Sequence, residues 1–175
     1  SSRKGDSALI KQIIKIFKKE GLHIIKSTYF NPELLLKKGN YTKTKPDTLS
    51  KKDILKGKNI INDLNKHDRG QGVIVREGHV IAIEGPEGTD VMLNRASILL
   101  KRFHQGNLRQ GILLKFPKKD QDLRVDLPTI GIQTIKKCIK IGLKGIVLKA
   151  NQNIFLDKKK CINLASKNKM FIYAI

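Results

Sequence analysis

The stretch Gln71-Gly-Val-Ile-Val-Arg-Glu-Gly-His-Val-Ile-Ala-Ile-Glu-Gly-Pro-Glu-Gly-Thr-Asp90 decides how the chain is read. Residues 72–76 and 79–84 are β-branched runs with a period of two, joined at Glu77-Gly78, and they predict a hairpin. The glycines of 84–90 then open a loop, and 91–104 takes up helical spacing. The alternation continues with a strand over 111–116, a charged loop over 117–126, and a helix that starts at Pro128 and ends near Gly142. A strand over 145–150, a turn at 151–153, a helix capped by Asp157 to about Asn168, and a strand over 171–175 complete it. Strands alternating with helices predict an α/β or α+β domain whose mixed sheet is flanked by helices.

Upstream the signals are helical. Asp6 is an N-cap candidate, Leu9, Ile10, Ile13, Ile14 and Phe17 follow helical spacing, and Gly21 is a stop. Residues 22–25 have strand character, and Asn31-Pro32-Glu33 starts a short helix through Leu36. The polar stretch 37–46 carries Gly and Pro and is expected as a linker. Ser50 with Asp53 gives a capping-box pattern for a helix running to about Leu64. The expected division is 1–45 and 46–175.

Composition bounds the function classes. The longest apolar runs are four or five residues, far short of the roughly 20 that span a bilayer, so no transmembrane segment or signal peptide is expected. Cys138 and Cys161 stand alone, without CxxC or paired histidines, which argues against a zinc ribbon or disulfide scaffold and suits a reducing, cytoplasmic compartment. A net charge of +21 invites a polyanion partner, and a basic RNA-binding module is the competing reading. Against it, the bases are 29 Lys and only 7 Arg, there is no Trp, and aromatics make up 5%. RNA readers concentrate Arg and stacking aromatics, so no nucleic-acid partner is expected.

The charge is unevenly placed. Residues 67–100 contain no lysine and hold Asp68, Glu77, Glu84, Glu87 and Asp90 against Arg69, Arg76 and Arg95. A trio at Asp120, Asp122 and Asp126 follows, so eight of the fifteen acids lie in one third of the chain. Either this is a solvated acidic surface or its carboxylates hold a hard cation. In Glu84-Gly-Pro-Glu-Gly-Thr-Asp90, Thr89 or Asp90 would occupy the N-cap region, leaving amides that favour an anion such as phosphate. A phosphate among carboxylates needs a divalent cation between them; otherwise Glu87 and Asp90 simply neutralise the helix dipole. In the second loop Asp122, Arg124 and Asp126 alternate, so an extended backbone would put them on one face within reach of Lys115. Asp126 precedes the Pro-started helix, where Thr129 and the first amides form a second anion site. This set suits metal-assisted phosphoryl transfer, in which catalysis is positioning and charge stabilisation.

Gly70-Gln-Gly-Val-Ile-Val75, Ile83-Glu-Gly-Pro-Glu-Gly-Thr-Asp90, Leu114-Lys-Phe-Pro-Lys118 and the run from Asp122 through Asp126-Leu-Pro-Thr-Ile-Gly131 resemble, in this order, the LpxI family of UDP-2,3-diacylglucosamine pyrophosphatases of lipid A biosynthesis. The likeness begins at Gly5-Asp-Ser-Ala-Leu9 and spans nearly the whole chain. The family's proteins carry an N-terminal Rossmann-like domain, so 1–45 is expected as the end of that domain plus a linker and 46–175 as the catalytic domain. The resemblance implies cleavage of UDP-2,3-diacylglucosamine to UMP and 2,3-diacylglucosamine 1-phosphate (lipid X). It also implies a divalent cation, Mg²⁺ first with Mn²⁺ or Co²⁺ as alternatives; the lysine-rich surface, for its part, suits peripheral attachment to the inner face of the cytoplasmic membrane. It leaves a homo-oligomer, and a non-catalytic domain that binds the lipid product, open. The family's essential aspartate maps onto Asp126, as metal ligand or general base, with Asp90, Glu87 and Glu84 completing the metal set. Lys115 and Arg124 are then expected to stabilise phosphoryl charge, and Gln71, Gly88, Thr89, Asp122 and Thr129 to contact substrate. His67 and His79 are read as surface residues, and Cys138, Met92 and Leu93 as core.

Overall fold

The computed structural model describes residues 6–66, 70–102, 109–119 and 121–175; His67, Asp68, Asp120 and the 103–104 end of the expected helix lie outside them. The side chain of Asp6, read as a cap, lies outside them too. Among the described residues the helices are α1 (Asp6–Lys19), α2 (Thr48–Asn65), α3 (Gly88–Lys101), α4 (Ile132–Lys140) and α5 (Lys158–Lys167), with a 3₁₀ turn at Pro32–Leu34. The strands are β1 (Gly39–Asn40), β2 (Gly72–Arg76), β3 (His79–Ile83), β4 (Ile112–Lys115), β5 (Thr129–Ile130), β6 (Gly145–Leu148), β7 (Ile154–Phe155) and β8 (Phe171–Ala174). Six of them form a mixed sheet in the order β1-β8-β6-β4-β2-β3, and β5 pairs with β7 in a separate parallel ribbon. The fold is the α/β architecture that the alternation predicts.

The hairpin forms as read. Glu77 and Gly78 both take positive φ, 48° and 76°, the mirror-image turn whose twist matches its strands. The buried carboxylate of Asp53 accepts both turn amides, at 2.9 and 2.7 Å. That employment corrects the capping box: α2 is capped instead by Asp47, whose carboxylate accepts the Ser50 amide at 2.9 Å. Capping selects whichever side chain stands at the position with non-helical backbone, and that residue is Asp47.

Alternation along the strands builds two cores. Ile74, Leu113, Ile146, Leu148 and Ile172 pack with Met92, Leu93 and Ala96 of α3, Ile135 and Cys138 of α4, and Cys161 and Ala165 of α5. Val73, Val75, Ile112, Leu114, Val147 and Phe171 face the other way, onto Ile54 and Ile61 of α2. The central strands are parallel and covered on both faces, which is why they read as continuous apolar runs. Gly145 is required on the α2 face, because a Cβ there would lie 2.2 Å from ring atoms of Phe171.

Four expectations change. Residues 37–46, expected as a linker, supply β1, whose Gly39 and Asn40 pair with Ala174 and Tyr173 at the sheet edge. Residues 22–25 form no strand, and Leu22 and Ile25 stay exposed, since a short apolar run without a ladder partner fixes no extended structure. The helix expected from Pro128 begins instead at Ile132, because Thr129 and Ile130 pair with β7 first. Helix α3 begins at Gly88, three residues earlier than Val91. The apolar stripe of α1 is seated on neither core: Leu9, Ile13 and Phe17 are exposed and Ile10 and Ile14 half-buried. No helix among the described residues is long and apolar enough to cross a membrane.

Candidate active site

Strand β4 ends in Lys115, and a period of two puts its side chain on the same face as Leu113, beneath α3. There its ammonium donates to Thr89 Oγ1 in the first turn of α3, and the Thr89 hydroxyl donates to Glu84 Oε2 at 2.9 Å. The three residues are 9%, 9% and 6% exposed, so cation, hydroxyl and carboxylate form one buried relay joining β4, α3 and the end of β3. Burial pushes the Lys115 ammonium below the ordinary lysine range, while the charges of Glu84 and Asp90 oppose that shift.

The backbone around the relay is tightly set. The Glu84 amide donates to Gly72 O and the Phe116 amide to Gln71 O, each at 2.8 Å. Gly72 leaves the room that Glu84 fills: a Cβ there would lie 2.3 Å from Glu84 Oε2. Gln71 Oε1 is buried without a hydrogen-bond partner among the described residues, an acceptor to which a ligand or water can donate. Gly88 takes φ +80° at the start of α3 and donates its amide to Gly85 O at 3.3 Å, and the N-cap Glu87 gives no side-chain cap, so the first-turn amides after Gly88 remain available to an anion. Lys115, these amides and Gln71 therefore share the carboxyl edge of the sheet, where open α/β folds bind their ligands.

The remaining expected residues are placed differently. Asp90 sits in the first turn of α3 and not at its cap, and pairs with Lys137 of α4 at 2.7 Å. Glu87 turns back to Arg95 at 2.6 Å; its own backbone amide, then Arg95, hold its carboxyl below the usual range. Residues 122–126 are turned, not extended: Asp122 O accepts the amides of Val125 at 3.0 Å and Asp126 at 2.9 Å. Asp122 also pairs with Arg124 at 2.7 Å, so those two side chains are spent on each other, and that bond lowers the Asp122 pKa and raises that of Arg124. Side-chain alternation requires an extended strand, and Asp122 instead closes a local turn by accepting the Arg124 amide at 3.0 Å. Asp126 is half-buried, and its carboxylate makes no hydrogen bond or ion pair among the described residues. Thr129 stands exposed on β5, its hydroxyl donating to Leu127 O at 3.3 Å.

Those assignments bear on the cation. Glu84 is taken by Thr89, Glu87 by Arg95 and Asp90 by Lys137, and among the described residues no three His, Cys, Asp or Glu side chains converge as a metal set. The donor set Glu84, Glu87, Asp90 and Asp126 in this arrangement does not fit a hard cation. Reading the sequence also missed Asn153, taken there as a turn residue. It is 1% exposed, accepts the Lys149 amide at 2.9 Å and donates to Lys115 O at 3.1 Å. Only its isolation between two apolar runs signals it, and that is equally the mark of a turn.

Fold and site together define an open α/β domain with a buried lysine relay and uncapped helix amides at the carboxyl edge of its sheet, a setting for phosphorylated ligands. The chain belongs to the LpxI family, whose C-terminal-domain model matches residues 37–173. The UDP-2,3-diacylglucosamine pyrophosphatase LpxI of Caulobacter vibrioides is 36% identical over 176 residues, an alignment covering 100% of this chain and 63% of that relative. The chain thus spans less than two thirds of the relative's length.

Proposed function

We propose that this chain takes part in hydrolysing the pyrophosphate of UDP-2,3-diacylglucosamine, releasing UMP and 2,3-diacylglucosamine 1-phosphate. The observation that carries the reading is the Lys115–Thr89–Glu84 relay beside the uncapped start of α3, inside the domain that the family model matches. A diphosphate at the carboxyl edge would meet the Lys115 cation and the α3 amides, which offset charge growing on its oxygens in the transition state. The Gln71 acceptor would take a substrate N–H or O–H. Asp126, whose carboxylate is uncommitted among the described residues, would accept a proton from an attacking water. The 29 lysines fit peripheral attachment to an anionic leaflet, at about 1 kcal/mol for each base near the surface.

The test is UMP release from UDP-2,3-diacylglucosamine, by this chain and by a chain of the relatives' full length, with Mg²⁺, Mn²⁺ or Co²⁺ and with EDTA. The longer wild type should turn over, with Asp126→Asn down at least ~100-fold, the scale of losing a catalytic acid–base group. Absence of UMP from every wild-type reaction would refute the proposal.

A further inference from the structure

Asn153 lies between β6 and β7, and its buried side chain bonds the backbone at the end of β4 and just after β6. Its amide nitrogen donates to Lys115 O at 3.1 Å, and its carbonyl oxygen accepts the Lys149 amide at 2.9 Å. The next residue, Ile154, donates its amide to Pro128 O at 3.0 Å, and β7 holds β5 in register as Thr129↔Ile154 and Ile130↔Phe155. Asp126 is two residues before Pro128. One buried side chain therefore fixes the end of the strand that carries Lys115, and its neighbour fixes the segment that carries Asp126.

We infer that Asn153 is a positioning residue, which sets Lys115 and the Asp126 segment at a working separation without touching substrate; this rests on the functional reading above. A carboxamide suits the place because it donates to one backbone and accepts from another at once, which neither a hydroxyl at this reach nor a carboxylate does. Loss of that bridge loosens the end of β4, admits water to the Lys115 ammonium and relieves its burial, so Lys115 titrates at a higher pH. A misplacement of about 1 Å is enough to cost some 100-fold in rate.

The experiment follows Lys115 Nζ by heteronuclear NMR titration, assigned with Lys115→Arg, alongside UMP release by the longer chain. Asn153→Ala should move the Lys115 titration upward and lower kcat at least ~10-fold, with KM changed far less. Asn153→Asp keeps the acceptor for Lys149 and loses the donor to Lys115 O; because its charge alone raises the Lys115 titration, kcat against KM is its readout, and it serves where the alanine variant does not fold. Gly145→Ala, a core substitution on the opposite face of the sheet, is the control for lost stability alone and should leave both readouts at wild-type values. An unmoved Lys115 titration, or a loss of kcat no larger than that of Gly145→Ala at equal loss of Tm, overturns the inference. Should the wild type release no UMP, the functional reading falls, and the titration alone decides whether Asn153 holds Lys115.

Discussion

Replacing Thr89 with valine keeps the shape of a buried side chain and deletes its hydroxyl. The hydroxyl stands between two charged groups, accepting from Lys115 and donating to Glu84 Oε2 at 2.9 Å, and all three residues are under a tenth exposed. Two hydrogen bonds to charged partners are worth about 1.5–3 kcal/mol each. Lys115 and Glu84 can recover part of that by moving toward one another, so the loss should fall near the lower sum, about 3 kcal/mol. Thr89→Ser keeps the hydroxyl and deletes one buried methyl, and should lose only about 1 kcal/mol. Urea unfolding of wild type, Thr89→Val, Glu84→Gln and the variant carrying both makes a double-mutant cycle on the relay, with Thr89→Ser measured beside it. A loss below about 1 kcal/mol for Thr89→Val, or an equal loss for Thr89→Ser, would refute the claim that the hydroxyl joins the pair.

Gly145→Ala places a methyl against the ring of Phe171 and should cost about 1–3 kcal/mol through overpacking, seen as a lower urea midpoint at unchanged slope. Asp47→Ala removes the cap of α2 and its pairing with Lys144, for a loss of about 1 kcal/mol at neutral pH. That loss is itself pH-dependent. The bond from Lys144 and the Ser50 amide hold the Asp47 carboxyl well below its ordinary 3.8, so its contribution is full above that pH and fades as pH falls beneath it. The gap between wild-type and Asp47→Ala stability should therefore narrow as pH falls below 3.8, and a gap at pH 2 as wide as at neutral pH counts against the cap. Both thiols are buried, with Cys161 pushed up to about 11 and Cys138 raised still further by burial. Neither should react with iodoacetamide in the native state at pH 7.5, and rapid alkylation there would contradict their packing.

Much of this architecture is carried by local pattern. The period-two runs of 72–76 and 79–83, the positive-φ turn at Glu77-Gly78 and the apolar β4, β6 and β8 are legible because burial imposes its periodicity on the sequence directly. Lys115 is legible as a strand-end cation for the same reason, as are Glu84 and Thr89 as polar residues of a glycine loop. Tertiary packing decides which of these groups meet. Lys115 and Thr89 are 26 residues apart, and they touch because β4 and the start of α3 share one edge. Arg95, Lys137 and Arg124 then claim carboxylates that composition alone leaves free for a cation.

The two-residue strands β1, β5 and β7 are too short to show a period, and each exists only through the backbone of its partner. Pairing of β5 with β7 displaces the start of α4, and a long-range bond likewise turns Asn153 from a turn residue into the link between two loops. What the chain determines by itself is the class of each element and the side of the sheet each residue faces, because both follow from spacing along the backbone. Which charge neutralises which, and whether a polar turn residue is exposed or buried as a brace, depends on distances across the fold, and those are set only when the layers pack.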